Sequence, residues 1–189
     1  MTGDKAHQRT QESKIPREAR RLIDFLNSRR RGEKPDGLSD TDAAAAVIKT
    51  LGIDAVVLDA FALERLRRLR DAMTELADRE SDDRGRNRAW NRVDDIASAA
   101  PTLVRFSPDG ATTIVPAGAG IVAVIGSLVA DLHTLVQKGQ FTRVRLCANE
   151  PCSHAFYDTT RSRTQRWHSY AVCGNRSNVA AHRRRADRS

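Results

Sequence analysis

Aromatic side chains make up only 5% of this 189-residue chain, so its core has to be built from aliphatic residues. Cysteine is scarcer: there are three, Cys147, Cys152 and Cys173, all late in the sequence. No apolar run opens the chain; MTGDKAHQRTQESK carries none, so no secretory signal is expected there. The longest apolar stretch, GAGIVAVIGSLVADLHTLV, is broken by glycines and holds Asp131 and His133. It is read as too short and too polar to span a bilayer, so no membrane partner is expected. A cytoplasmic, reducing location follows as the default, and there the thiols stay free of disulfides. No Ser-His-Asp arrangement and no Gly-rich phosphate loop stands out, so no enzyme is expected. There is no internal repeat and no heptad seam, which leaves a homodimer open.

What the chain does have is basic charge in one place. The formal net charge is +8. Residues 141–189 hold ten arginines and three acids, a balance of +7, and the first 140 residues are close to neutral. Such asymmetry is the footprint of a polyanion partner, most simply nucleic acid. A solubilising basic tail has the same composition.

Hydrophobic periodicity divides the chain. Residues 1–13 are polar and aperiodic and are expected to be disordered. Residues 14–140 read as a helical domain. Leu22, Ile23, Phe25 and Leu26 recur at helical spacing over Ile15–Arg30. A second helix is capped by Ser39 or Asp40 and ended by Gly52. A third runs from about Val56 to Arg79 with Val57, Phe61, Leu66, Leu69 and Met73 on its stripe. DRESDDRGRNR reads as a polar connector or a frayed helix end, and a fourth helix runs from Trp90 to Ala99. TLVRFS and TTIVP flank Pro-Asp-Gly, a hairpin signal. Gly120–Gln137 is apolar nearly all round and belongs in the middle of a helical core, with His133 as a satisfied core histidine. The fold class is therefore mainly α: a helical domain with one β-hairpin, followed by a small C-terminal module over residues 141–189.

That module carries the chemistry. CANEPC, Cys147–Cys152, is a pair of soft ligands with four residues between them, and HSYAVC, His168–Cys173, is another. Two short-spaced pairs suit tetrahedral zinc, one turn supplying each pair. Asn149 and Pro151 suit a tight turn. Buried structural thiols are the plain alternative, but this polar, arginine-rich region has little to bury them. His154 and His182 are alternatives to His168, though neither makes a matching pair. Four protein ligands leave no open position, so the zinc would be structural. Phe156 and Trp167 are expected in the module's small core.

CGNR at Cys173–Arg176, together with C-x4-C, FYDTTRSRTQRW and the closing RRR, resembles the CGNR zinc finger over Val144 to Arg185. That module usually follows a helical domain called ABATE, and LIDFLNSRRRG near the start is similar to it. The resemblance implies a stress-linked bacterial transcriptional regulator. It also implies zinc ligands at Cys147, Cys152 and Cys173 and at the residue after Trp167. Family members usually have cysteine at that last position; here it is His168, itself a competent ligand.

Arg161, Arg163 and Arg166 precede the second ligand pair, and RSNVAAHRRRADR reads as a basic helix. Arginines at 161, 163, 166, 176, 183, 184 and 185 are the candidates for DNA contact, through phosphates or guanine edges. Arg176 is equally suited to capping a carbonyl or pairing with Asp158, and Asn175 to a turn. Trp90 and Arg92 line a pocket or simply pack. Three functions fit this reading. One is a DNA-binding regulator whose helical domain senses a small-molecule effector or dimerises. Another is an interaction module for an acidic partner. The third is an enzyme with an unrecognised pocket.

Overall fold

Aspartate caps set where three of the helices begin. Asp40 accepts from the Ala43 amide at 2.8 Å, Asp59 from Ala62 at 2.7 Å and Asp82 from Gly85 at 2.6 Å. Each satisfies an amide that the first helical turn leaves orphaned, which contributes about 1 kcal/mol. The computed structural model describes residues 14–53 and 56–179. The expected disorder of residues 1–13, and His182 and Arg183, Arg184 and Arg185, lie outside the described residues.

Among the described residues the long helices are α1 (Arg17–Leu26), α2 (Thr41–Thr50), α3 (Ala60–Ala77), α4 (Asp83–Ser98) and α5 (Gly120–Gln137). Strands β1 (Thr102–Phe106) and β2 (Thr112–Pro116) form an antiparallel hairpin ahead of α5, with Val104 opposite Ile114. A 3-10 turn at Phe141–Arg143 leads into β3 (Val144–Leu146), which pairs antiparallel with β4 (Ala155–Tyr157). A wide helical turn, Tyr170–Gly174, follows, and helix continues over residues 175–179. The fold is mainly α, with the small cysteine-bearing region at its end.

α3 packs on α1 and α4, and both of those pack on α5. Leu22, Phe25, Leu66, Leu69, Met73, Leu128 and Leu135 are fully buried in one cluster. A buried leucine contributes roughly 2 kcal/mol, so this aliphatic core outweighs the caps. The same cluster takes in Phe141, Val144, Ala155 and Tyr157, so β3 and β4 are built onto the helical core. α5 is long and apolar enough by length and composition to cross a membrane, contrary to the sequence reading, and 44% of it is buried inside the protein. Its Gly126 lets β2 come close: a Cβ there would lie 3.0 Å from the Pro116 side chain.

Four expectations change. The third helix starts at Ala60, because Asp59 caps it; Val57 precedes the cap and is 95% exposed. Phe61, 71% exposed, sits in the first turn under Arg65 rather than in the core. The fourth helix begins seven residues before Trp90, at Asp83, because Asp82 caps it, so residues 83–88 of the stretch read as a connector or frayed end are regular helix. His133 is exposed, while Asp131, two residues earlier, is the buried polar group of α5. Asp131 faces Arg21 of α1 at 3.3 Å.

Candidate metal centre and basic surface

The first ligand pair is shaped by a knuckle between β3 and β4. The Cys152 amide donates to the Asn149 carbonyl at 2.8 Å, closing a turn. Ser153 follows with φ 44°, a left-handed step that turns the chain into β4. The Cys147 amide donates to the His154 carbonyl at 2.9 Å, which holds the two arms of the knuckle together. The second pair is shaped by the wide turn. Ser169 caps it, its carbonyl accepting from the Cys173 amide at 2.9 Å and its hydroxyl from the Val172 amide at 3.3 Å. Gly174 is needed for space, since a Cβ there would lie 2.8 Å from the Tyr170 ring. The Asn175 side chain donates to the Ala171 carbonyl at 3.1 Å, and the residue is helical rather than in the turn expected of it.

These two turns bring the donor atoms of Cys147, Cys152, His168 and Cys173 within 4.8 Å of one another. His168 Nδ1 lies 3.4 Å from the Cys152 sulfur and 3.7 Å from the Cys173 sulfur. Zinc–ligand bonds of about 2.3 Å to sulfur and 2.0 Å to nitrogen, at tetrahedral angles, require an S···N edge of about 3.5 Å. The donor set therefore fits one zinc ion in size and in chemistry. All three cysteines are free, and Cys147 and Cys173 are buried. Burial pushes the Cys152 thiol up to about 11, and the neighbouring cysteines add to this, so closely packed thiols need a cation to ionise together. Burial, with Arg31 beside it, lowers the pKa of His168 and favours the neutral imidazole a metal requires. Asn149 donates to the Cys173 sulfur at 3.5 Å.

His154 has other partners. Its Nε2 meets the Asn27 amide at 3.2 Å and its Nδ1 meets Arg31, while its ring stacks 4.5 Å from that of His168. Burial, then Arg31 and His168, hold its pKa down at about 4. The sequence reading did not foresee Asn27 and Arg31. They lie more than a hundred residues from the cysteines, and no local pattern links them. Asn27 also accepts from the Ala155 amide and donates to the Ala155 carbonyl, each at 2.9 Å. It pairs with the edge of β4 as a neighbouring strand would.

The arginines divide into two sets. Arg143 donates to the carbonyls of Asp158 and Thr160, each at 2.8 Å. Arg145 pairs with Asp158 at 2.8 Å, so Asp158 is not Arg176's partner, as one alternative had it. Asp158, 0% exposed, also accepts from Thr160 and Gln165. This network holds the loop 158–166, and the Ala148 amide ties the loop to the knuckle through the Arg166 carbonyl at 2.8 Å. Arg161, Arg163, Arg166 and Arg176 are exposed, with no carboxylate partner among the described residues. Arg163 has φ 55°, a strained conformation for a non-glycine residue that the bonded loop sustains. Arg166 lies over the Trp167 ring at 5.3 Å, and that ring meets Tyr170 edge-on. Trp167 is therefore half-exposed on this surface, whereas Phe156 is buried as expected. Arg31, Lys34 and Arg176 border one shallow depression beside the cysteines, which extends the basic surface onto the helical part.

No curated protein matches the chain. Family models match in two blocks: the CGNR zinc finger over residues 143–186 and ABATE, described as "Putative stress-induced transcription regulator", over residues 19–137. With the cysteine–histidine cluster inside the first block, the chain has a place for one structural zinc. Neither family is one of enzymes by description. The ABATE match covers well over half of the 189 residues, so the chain belongs to the ABATE family and carries a CGNR zinc finger after that domain.

Proposed function

We propose that this chain is a zinc-containing bacterial transcriptional regulator that binds DNA through its finger. Cys147, Cys152, His168 and Cys173 serve as the ligands of the one zinc ion. Four protein ligands close the site, so zinc fixes shape and has no position open for water. The helical domain has the role of sensing a small effector or pairing two chains. The protein acts in the cytoplasm, where the thiols stay reduced and available to metal.

The observation that carries the reading is the division among the finger's arginines. Arg143 and Arg145 are consumed in holding the loop 158–166. Arg161, Arg163, Arg166 and Arg176 are left facing solvent without carboxylates among the described residues. An isolated solvated charge run needs no buried scaffold, and this one has a buried Asp–Arg pair beneath it. Arg183, Arg184 and Arg185 extend the same charge in sequence.

Fluorescence anisotropy of the zinc-loaded full chain on duplex genomic fragments tests this. The logarithm of affinity is expected to fall linearly and steeply with the logarithm of salt concentration. Arg161/Arg163/Arg166→Ala is expected to reduce the slope by about 0.9 for each phosphate that is no longer neutralised. Arg183/Arg184/Arg185→Ala is expected to weaken binding to all sequences alike. Salt-insensitive binding, or no loss in either triple variant, overturns DNA recognition by this surface. Capture of an acidic peptide without DNA binding would move the finger to protein interaction.

A further inference from the structure

Between the end of α3, α4 and the start of the finger lies a cleft of about 510 Å³ that the DNA-binding reading does not use. Its volume is in the range of small-molecule sites. The floor is apolar: Leu76, Phe141 and Val144 are buried there, and Trp90 tilts against Phe141 with ring centroids 6.1 Å apart. Trp90 is 37% exposed, so it presents ring surface to the cleft as well as packing.

The rim is cationic. Arg79 is exposed and has no carboxylate partner among the described residues. Among the described residues Arg86 has only Asp83, at 3.6 Å, and that carboxylate is almost wholly in water. A pair of that kind contributes little, so Arg86 remains available. Arg145 on the inner wall is committed to Asp158. The single carboxylate of the lining, Asp78, accepts from the Glu80 amide at 3.0 Å. A larger neighbouring groove of about 850 Å³ shares Asp78 and Arg79 but adds Glu80 and Glu150, which makes it a poor anion site.

An apolar floor with one accessible indole and two uncommitted guanidiniums at its edge suits one kind of molecule. From this arrangement we propose that the cleft binds a small aromatic carboxylic acid, its ring on Trp90 and its carboxylate on Arg79 and Arg86. The proposal deepens the sensing half of the proposed function. It also has a physical route to the finger, because Arg145 in the cleft wall holds Asp158 and through it the loop 158–166. Two guanidiniums favour carboxylate because charge-assisted bonds to Arg are strong and directional. Trp90 favours a planar body over a branched one.

The test uses the zinc-loaded full chain with benzoate, salicylate and indole-3-acetate, and with benzamide as the neutral control. Trp90 and Trp167 are the two tryptophans, so Trp167→Phe leaves Trp90 as sole reporter. Saturable change in its fluorescence, with heat of binding in the unsubstituted chain, is expected for at least one acid. Arg79→Gln and Arg86→Gln are each expected to weaken binding tenfold or more, and benzamide to bind at least tenfold worse than benzoate. Arg79 and Arg86 are surface groups, and circular dichroism of both variants is expected to match the parent. No saturable signal from any acid at millimolar concentration overturns the proposal. So does acid affinity unchanged by both substitutions. The DNA titration of the ligand-free protein is independent of either result, so failure of the cleft and failure of DNA binding are told apart.

Discussion

Among single residues, Asp158 organises the finger's basic face. It is fully buried, pairs with Arg145, and accepts from the Thr160 and Gln165 amides. Asp158→Ala leaves a guanidinium without its counter-ion in a buried site and strands two amides. We expect this to lower unfolding free energy by about 3–5 kcal/mol in denaturant titrations. Arg145→Met added to it is expected to restore part of that loss. No restoration would mean the backbone hydrogen bonds of Asp158, and not the charge pair, carry its effect. Cys147, Cys152, His168 and Cys173 are legible in the sequence because ligand spacing is local. Asp158 is marked there only as one alternative partner of Arg176. Which of ten arginines it selects depends on β3 placing Arg145 beside it, and no spacing rule encodes that.

Among elements, α5 shows how pattern and packing diverge. Its apolar sequence predicts burial, and Val124, Ile125, Leu128 and Leu135 are buried. The polar positions are harder to assign. His133 faces outward, while Asp131 faces Arg21 across the α1–α5 contact. Burial lifts the Asp131 carboxyl from 3.8 to about 6, and Arg21 offsets this only in part. The folded state then holds that proton more tightly than the unfolded chain does. Its stabilisation is full below about pH 4 and is lost as pH rises through 6. The stability of the parent relative to Asp131→Asn, which cannot ionise, is therefore expected to fall by about 2 kcal/mol between pH 4.5 and 7.5. Zinc ligands titrate alike in both proteins, so the difference isolates Asp131. A flat difference would show that Arg21 fully compensates the charge. The sequence reading misplaces two helix starts, those where Asp59 and Asp82 act as caps.

In the whole molecule, the finger and the helical domain share one core. Phe141, Val144, Ala155 and Tyr157 join the helical cluster, and Asn27 pairs with both backbone groups of Ala155. Asn27→Ala leaves that amide and carbonyl without their partners, at about 1–3 kcal/mol for each buried group. We expect a loss of roughly 2–4 kcal/mol by denaturant titration. Hydrogen exchange is expected to speed up in residues 144–157, while zinc content stays at one per chain because Asn27 touches no metal donor. Loss of zinc in this variant would show that docking and metal binding form a single unit.

By itself the sequence determined the helical class, the hairpin, the four-donor metal pattern and the basic charge of the finger. Each of these is written in short-range periodicity, spacing or composition. Only the tertiary structure decided which arginines are consumed internally and that Asn27 and Arg31 meet His154. It alone formed a cleft where Trp90, Arg79 and Arg86 converge. The bonds of Arg143 and Arg145 to Asp158 and of Asn27 and Arg31 to His154 join residues from 13 to 127 positions apart, and chain folding, not local pattern, brings them within bonding distance.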